Sequence, residues 1–408
     1  MKQRKPALIF IFITLFLDIL GIGLIVPILP RLIEHLGDGR VDSASFVYGW
    51  LVGLYSLMQF IFAPIIGSLS DRFGRRPVIL LSLFGTGLDY FLLAWAPSLA
   101  WFFVGRLISG ITGANYSAAA AYVADVSPPE KRSANFGIIG AAFGLGFIFG
   151  PALGGWLGEY GLRVPFIVAG ILTLVNWLYG FLILPESLKK ENARKFDLER
   201  ANPIGALLEL KRQPLILGLS CSYFISSIAH QVYPSIWVLY TAFRYQWDTK
   251  QTGLSLALVG LMAAIVQGGL ARYIIPKIGE RNSAVGGLTV MALALTGYGL
   301  ATEGWMVYVI IVFGSLSGVA VPAIQGMVSR SVGDNEQGAI QGSLTSLQSV
   351  AGFVGPLIAT SIFGFFISER APFVLPGASF YFSAGLSLIA AVLAAVSFRD
   401  ASRRSPAR

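Results

Sequence analysis

Charge is what this 408-residue chain has least of. Asp, Glu, Lys and Arg together make up 12% of it, about half the roughly 25% usual in soluble domains. A soluble fold of this size lacks the polar side chains to cover such a chain, and the 55% hydrophobic content with 29 Phe excludes disorder. Cysteine is nearly absent: Cys221 stands alone, which excludes a disulfide scaffold. There are two histidines, His35 and His230, and neither has a companion at metal-ligand spacing. No P-loop, nucleophile elbow or dinucleotide fingerprint occurs either, so neither an enzyme nor a metal site is expected.

What remains is apolar sequence in long runs. A membrane-spanning helix needs about 20 mostly apolar residues, and twelve runs qualify. Six are Ala7–Glu34, Ser45–Leu69, Pro77–Ala96, Leu99–Ala124, Ser133–Tyr160 and Val164–Leu184. After one charged stretch follow Leu215–Thr241, Gln251–Ile275, Ser283–Ala301, Trp305–Ser329, Gln337–Ile367 and Leu375–Phe398. An all-α integral membrane protein is the expected class. The first run is longer than a signal-peptide core and no small-residue cleavage site follows it, so it reads as a retained helix.

The connecting segments fix the expected orientation. Of the 30 basic residues, 22 fall on the side that holds both termini and 6 on the other, with Arg106 and Arg272 inside spans. The positive-inside rule places both termini in the cytoplasm, and the expected location is the plasma (inner) membrane. The formal net charge of +9 thus lies almost entirely on one side. It records membrane orientation, and no nucleic-acid partner is expected.

The long charged stretch divides the chain into residues 1–185, a linker at 186–213 and residues 214–408. The linker reads as solvated, with a short interfacial helix around Pro203 as the alternative. Gly74-Arg75-Arg76 returns as Gly279-Glu280-Arg281, Gly150-Pro151 as Gly355-Pro356, and Gly137 as Gly342, each 205 positions later. Two related six-helix halves are the build of many secondary transporters, with substrate bound between them near the bilayer midplane.

Few ionisable side chains sit well inside the runs: Asp18, Asp89, Arg106, His230 and Arg272. An Asp or Arg at a helix centre costs about 2.5–3.5 kcal/mol on insertion scales, so a functional role is the default. Asp18, Asp89 and Arg106 are the candidates for proton coupling. A structural ion pair of Arg106 with Asp89 is the alternative. Arg106 shares a helical face with Gly110, Gly113 and Ser117, while Arg272 is placed to snorkel to the cytoplasm. Gln59, Asn115, Tyr116, Gln231, Tyr233, Trp237, Gln267 and Gln325 are candidates to line an apolar pocket with a few polar groups, a surface for amphipathic small molecules. Helix–helix hydrogen bonding is the competing role for each.

The loop after the second run reads Gly67-Ser-Leu-Ser-Asp71-Arg72-Phe-Gly74-Arg75-Arg76-Pro77. It resembles the signature loop of the major facilitator superfamily. The resemblance implies a charge relay of Asp71 and Arg75 with Asp125 that holds the outward-open state, and a fold of twelve transmembrane helices in two six-helix halves. Gly105-Arg106-Leu-Ile-Ser-Gly110 is similar to that family's fourth-span motif. The fifth run carries Gly140, Gly144, Gly146, Gly150, Pro151, Gly154 and Gly155. This is a close-packing face, and Gly146 onward resembles the antiporter motif of drug exporters. Asp18 with Gly21, Gly23, Pro27 and Pro30 resembles the first-span motif of twelve-helix drug–proton antiporters. Residues 8–160 most resemble their tetracycline-efflux group. Two positions depart from it: Ala263 stands where that group commonly has His, and Ser283–Ala301 carries no acid. Tetracycline carried as a metal chelate is therefore outside what the resemblance implies.

The expectation is a proton-coupled secondary transporter, working by alternating access, that exports an amphipathic drug or metabolite. It needs no cofactor beyond the proton gradient and works as a monomer in the lipid bilayer. The alternatives are a proton-coupled importer of an organic anion and a non-transporting receptor on the same fold.

Overall fold

The computed structural model describes residues 8–113, 116–127, 132–188, 214–331 and 337–404. Every regular element among them is helical. In the first part of the chain these are α1 (Leu8–Ile25), α2 (Leu29–Leu36), α3 (Val41–Phe73), α4 (Arg75–Ala94), α5 (Leu99–Thr112), α6 (Tyr116–Val126), α7 (Arg132–Gly158) and α8 (Val164–Ile183). After the linker come α9 (Pro214–His230), α10 (Val232–Tyr245), α11 (Thr249–Ile265), α12 (Ala271–Ile278), α13 (Glu280–Leu300), α14 (Gly304–Gly314), α15 (Ala320–Arg330), α16 (Gln337–Ile367) and α17 (Ala378–Arg404).

Among the described residues eleven helical stretches are long and apolar enough to cross a membrane. The expected run Leu99–Ala124 is divided between α5 and α6, each too short to count alone, with residues 114–115 outside the described set. Three other spans are locally irregular. Gln231 separates α9 from α10, a π turn at Val266–Leu270 joins α11 to α12, and a 3₁₀ turn at Ser315–Val319 joins α14 to α15. The π turn holds Gly268 and Gly269, and the 3₁₀ turn holds two Ser and Gly318. These residues hold the α-helical ladder weakly, so the register shifts there.

The described chain forms two compact units. One comprises residues 8–39, 54–188 and 247–260; the other comprises 40–53, 214–246 and 261–404. In the first unit α1 packs along α7 and α8, and α4 along α8 and α5. Ile11, Leu15, Leu83, Tyr122 and Ala142 meet in its core. Asn176 Nδ2 donates to the Thr14 carbonyl at 2.8 Å, tying α8 to α1 inside the apolar interior. In the second unit α17 packs along α13 and α9 around Leu219, Tyr223, Leu288 and Ile324. Ser222 Oγ and Ser387 Oγ donate to the Ala390 and Leu288 carbonyls, at 2.7 and 2.8 Å. Lipid is as apolar as these cores, so close packing and such bonds hold the helices together.

Helix directions alternate within each unit. In the first, the end of α3, the start of α4, the end of α6 and the chain leaving α8 meet around Arg75. Away from that end, Arg163 at the start of α8 donates to the Ala94 and Ala96 carbonyls where α4 finishes. The 205-residue repeat is visible in the backbone as well. Gly74 and Gly279 both precede a helix with positive φ, 105° and 81°, and nearly equal ψ, 156° and 155°. That conformation is open to glycine and strained for other residues.

Candidate functional site

Asp18, Asp89 and Arg106 come together within the first unit. Asp18 is half-buried on α1, and Asp89 on α4 is 1% exposed. Two tyrosines outside the sequence-derived set complete the cluster, Tyr55 on α3 and Tyr90 on α4. The Arg106 guanidinium lies 5.7 Å from the Tyr55 ring centroid, and Gln59 Nε2 donates to Tyr55 Oη at 2.7 Å. Asp18 and Arg106 are both within electrostatic reach of Tyr55, and both, with Asp89, are within reach of Tyr90. Gly21, one turn after Asp18, faces the Tyr90 ring and hydroxyl. Arg106 and Asp89 form no ion pair, and neither Asp89 oxygen has a hydrogen-bond partner; Arg106 Nε lacks one too.

Gly105 admits this arrangement, since a methyl there would stand 2.9 Å from Asp89 Oδ1. The face predicted for Arg106 exists. Gly110 packs on Met58 and the Tyr55 backbone, Gly113 on Tyr55 and Gln59, and Ser117 on Ala63.

The loop motif forms a second cluster. The Arg75 side chain is only 9% exposed, and its Nε donates to Asp125 Oδ2 at 3.1 Å. Its Nη1 pairs with Asp71 and donates to Ser70 Oγ at 2.8 Å. One cation thus holds the ends of α3 and α6 to the start of α4. Arg76 Nη2 donates to the Phe181 carbonyl at 2.5 Å, and Arg72 lies over the Phe73 ring. Gly67 packs near Ser117.

Glu186 belongs to this cluster as well. Its carboxylate accepts from the Arg75 and Arg76 backbone N–H groups at 2.9 and 3.2 Å, and Ser187 Oγ donates to Asp125 at 3.0 Å. The carboxylate also lies against Gly74, where a larger residue would collide with it. Glu186 was hidden in sequence because it belongs to the linker, a run rich in charge.

The glycine motif of α7 is a backbone seam. Gly146 lies on Ile19 of α1, Gly150 on Gly23 and Gly154 on Leu24. Gly155, on the next face, meets Thr249 and Gly253 of α11, and Pro151 closes on Gly23 and Gly253.

Tyr116 is 49% exposed and edge-on to Phe143 at 5.6 Å. Asn115 lies outside the described residues. In the second unit Tyr233 sits in an aromatic cluster, 5.3 Å from His230, 6.4 Å from Trp237 and 5.9 Å from Tyr298. Trp237 is 4% exposed and edge-on to Tyr298 at 5.1 Å, so its surface is taken up by neighbours. Gln231 abuts Gly355, and Gln267, on the π turn, abuts Gly318. Gln325 Nε2 donates to Tyr223 Oη at 3.4 Å, and Tyr223 Oη donates to Gln348 Oε1 at 3.3 Å. Arg272 is exposed, with its guanidinium over the Tyr273 ring.

Known proteins are similar to this chain. The family profile described as Major Facilitator Superfamily matches residues 11–356. The tetracycline resistance protein, class C, of Escherichia coli is 40% identical over 361 residues, 88% of this chain and 90% of its own. The class D protein of Salmonella ordonez is 40% identical over 362 residues, with the same coverage. The crystal structure of the human organic anion transporter MFSD10 (TETRAN) is 29% identical, with a TM-score of 0.71 over 95% of this chain and 98% of that one.

Proposed function

This chain belongs to the Major Facilitator Superfamily, and on that premise we propose that it is a proton-coupled antiporter that exports an amphipathic drug or metabolite. The family is one of transporters, not enzymes, and the protein is a multi-pass membrane protein that moves small molecules. The antiport reading adds a direction, an energy source and a set of residues. One observation carries it: Asp89 is 1% exposed, both its oxygens are unpaired, and Arg106 is the charge within electrostatic reach of it. A carboxylate held dry without donors is costly, and taking up a proton removes that cost. Asp18, on the neighbouring helix and sharing Tyr90 with Asp89, is the second carrier. Arg106 makes either acid's charge state felt by the other. No cofactor enters; the proton gradient supplies the energy. Both termini face the cytoplasm across an inner membrane, and the working unit is a monomer.

Export is favoured by the resemblance to tetracycline resistance proteins and by the glycine seam of α7. Tetracycline is therefore the first compound to test, although Ala263 and the acid-free α13 widen the reading to other amphipathic drugs. Asp71, Arg75 and Asp125 act as the gating relay. The test is drug accumulation by inverted vesicles under an inward-acid gradient. Wild type accumulates drug, and Asp18→Asn and Asp89→Asn do not, while both variants keep the wild-type elution profile in detergent. Full accumulation by either variant refutes its role as proton carrier.

A second reading, import of an organic anion, draws on Arg106 and on the resemblance to the human organic anion transporter. It requires uptake of the anion by intact cells at low external pH.

A further inference from the structure

At one end of the second unit, the ends of five helices border an open cavity of about 580 Å³. Its apolar walls are Leu215 at the start of α9, Ile278 at the end of α12, Met327 on α15 and Phe398 on α17. Arg281 and Asn282, in the first turn of α13, supply polar side chains. Asn282 is already engaged, since its Nδ2 donates to the Ile278 carbonyl at 2.9 Å.

Glu280 and Arg330 border the same cavity and form an ion pair. They stand 205 positions after Arg75 and Asp125, whose pair in the first unit has the opposite polarity. Glu280 is thus neutralised, and the uncompensated charge of the cavity is that of Arg281. Its guanidinium lies 5.6 Å from the Phe398 ring centroid and, among the described residues, has no acidic partner. The repeat sharpens the contrast. Arg76, at the matching position of the first unit, donates to the Phe181 carbonyl, whereas Arg281 makes no hydrogen bond among the described residues. Ile278, 45% exposed, extends the apolar wall outwards.

A lone cation above apolar walls, at the basic end of a membrane-spanning unit, complements a molecule with an anionic head and an acyl tail. We propose that this cavity binds an acidic phospholipid of the cytoplasmic leaflet, with its phosphate at Arg281 and its acyl chain along Ile278, Met327 and Phe398. The site is independent of Asp18, Asp89 and the relay.

The test uses the full chain, purified and equilibrated with an equimolar mixture of phosphatidylglycerol and phosphatidylcholine, with retained lipids counted by native mass spectrometry. One uncompensated guanidinium near the headgroups favours the anionic lipid about fivefold. Wild type is therefore expected to retain phosphatidylglycerol about fivefold over phosphatidylcholine, and Arg281→Gln to retain the two equally. Met327→Trp, which fills the cavity and keeps Arg281, is expected to lose the preference as well. Arg281 is exposed, so its variant folds normally and can be read even if the larger tryptophan disturbs packing. Equal retention by wild type overturns the proposal, and so does an undiminished preference in Arg281→Gln. A preference lost only on neutralising the linker lysines assigns the lipid to the linker, and overturns it too.

Discussion

Replacing Gly150 by Ala sets a methyl group 2.7 Å from the Gly23 Cα and 3.1 Å from the Leu20 carbonyl oxygen. Carbon atoms in good contact stand about 3.5–4.0 Å apart, so the overlap is about 1 Å. Both obstacles are backbone, so no side chain can swing away and α1 must part from α7 locally. Overpacking of this kind costs about 1–3 kcal/mol. Alanine also raises helix propensity by up to about 1 kcal/mol, which would blur a comparison with wild type alone. Gly140→Ala removes the ambiguity. It lies in the same helix and its methyl meets nothing within 4 Å, so it carries the propensity gain without the clash. The expected order of unfolding free energies, measured by circular dichroism in mixed micelles, is Gly140→Ala at or above wild type, with Gly150→Ala about 1–3 kcal/mol below Gly140→Ala. Gly23→Ala meets the Gly150 Cα at 2.8 Å from the other side. Once one methyl has parted the helices the second costs less, so the double variant should lose less than the sum of the two. Equal stability of Gly150→Ala and Gly140→Ala would refute the packing argument.

Two further substitutions probe the charged ends. Glu186→Ala removes the acceptor shared by the Arg75 and Arg76 N–H groups. It should lower the stability by about 1 kcal/mol and speed proteolysis of the linker, with Glu186→Gln losing less. Exchanging charges separates the two halves of the repeat. Glu280→Arg with Arg330→Glu rebuilds an isolated pair and should melt within about 1 kcal/mol of wild type. Arg75→Asp with Asp125→Arg sets a new acid beside Asp71 and should fall well below it; equal behaviour of the two double variants would contradict the geometry.

How far the sequence reaches depends on the range of the interaction. The spans were legible because length and hydropathy act along the chain. The meeting of Asp71, Arg75 and Asp125 was legible through the resemblance of the loop to the major facilitator signature, since no spacing along the chain links Asp125 to Arg75. The tyrosines around Asp18 were not legible. Tyr55 and Tyr90 look like any aromatic residue in an apolar helix, and only the packing of α1, α3, α4 and α5 gives their hydroxyls a polar neighbourhood. Trp237 shows the reverse: an amphipathic side chain expected at a pocket surface is spent on Tyr298 inside an aromatic cluster. The π and 3₁₀ turns depend on a few glycines and serines whose effect on a helix is small beside its hydropathy. Glu186 was concealed because a charged linker offers many carboxylates and no sequence spacing picks out the one that folds back.

The seam between α1 and α7 also sets which parts can bend. Backbone rests on backbone from Gly23 and Gly150 to Leu24 and Gly154, so neither helix can slide or roll on the other there without driving main chain into main chain. The two behave mechanically as one stiff beam, with Asp18 mounted on it. A displacement of Asp18 relative to the bilayer is then a displacement of the whole beam, and the compliance must lie where the seam stops. That place is the turn after Ile25, where a single backbone bond from Ile28 to Ile25 bridges the ladder before α2 begins.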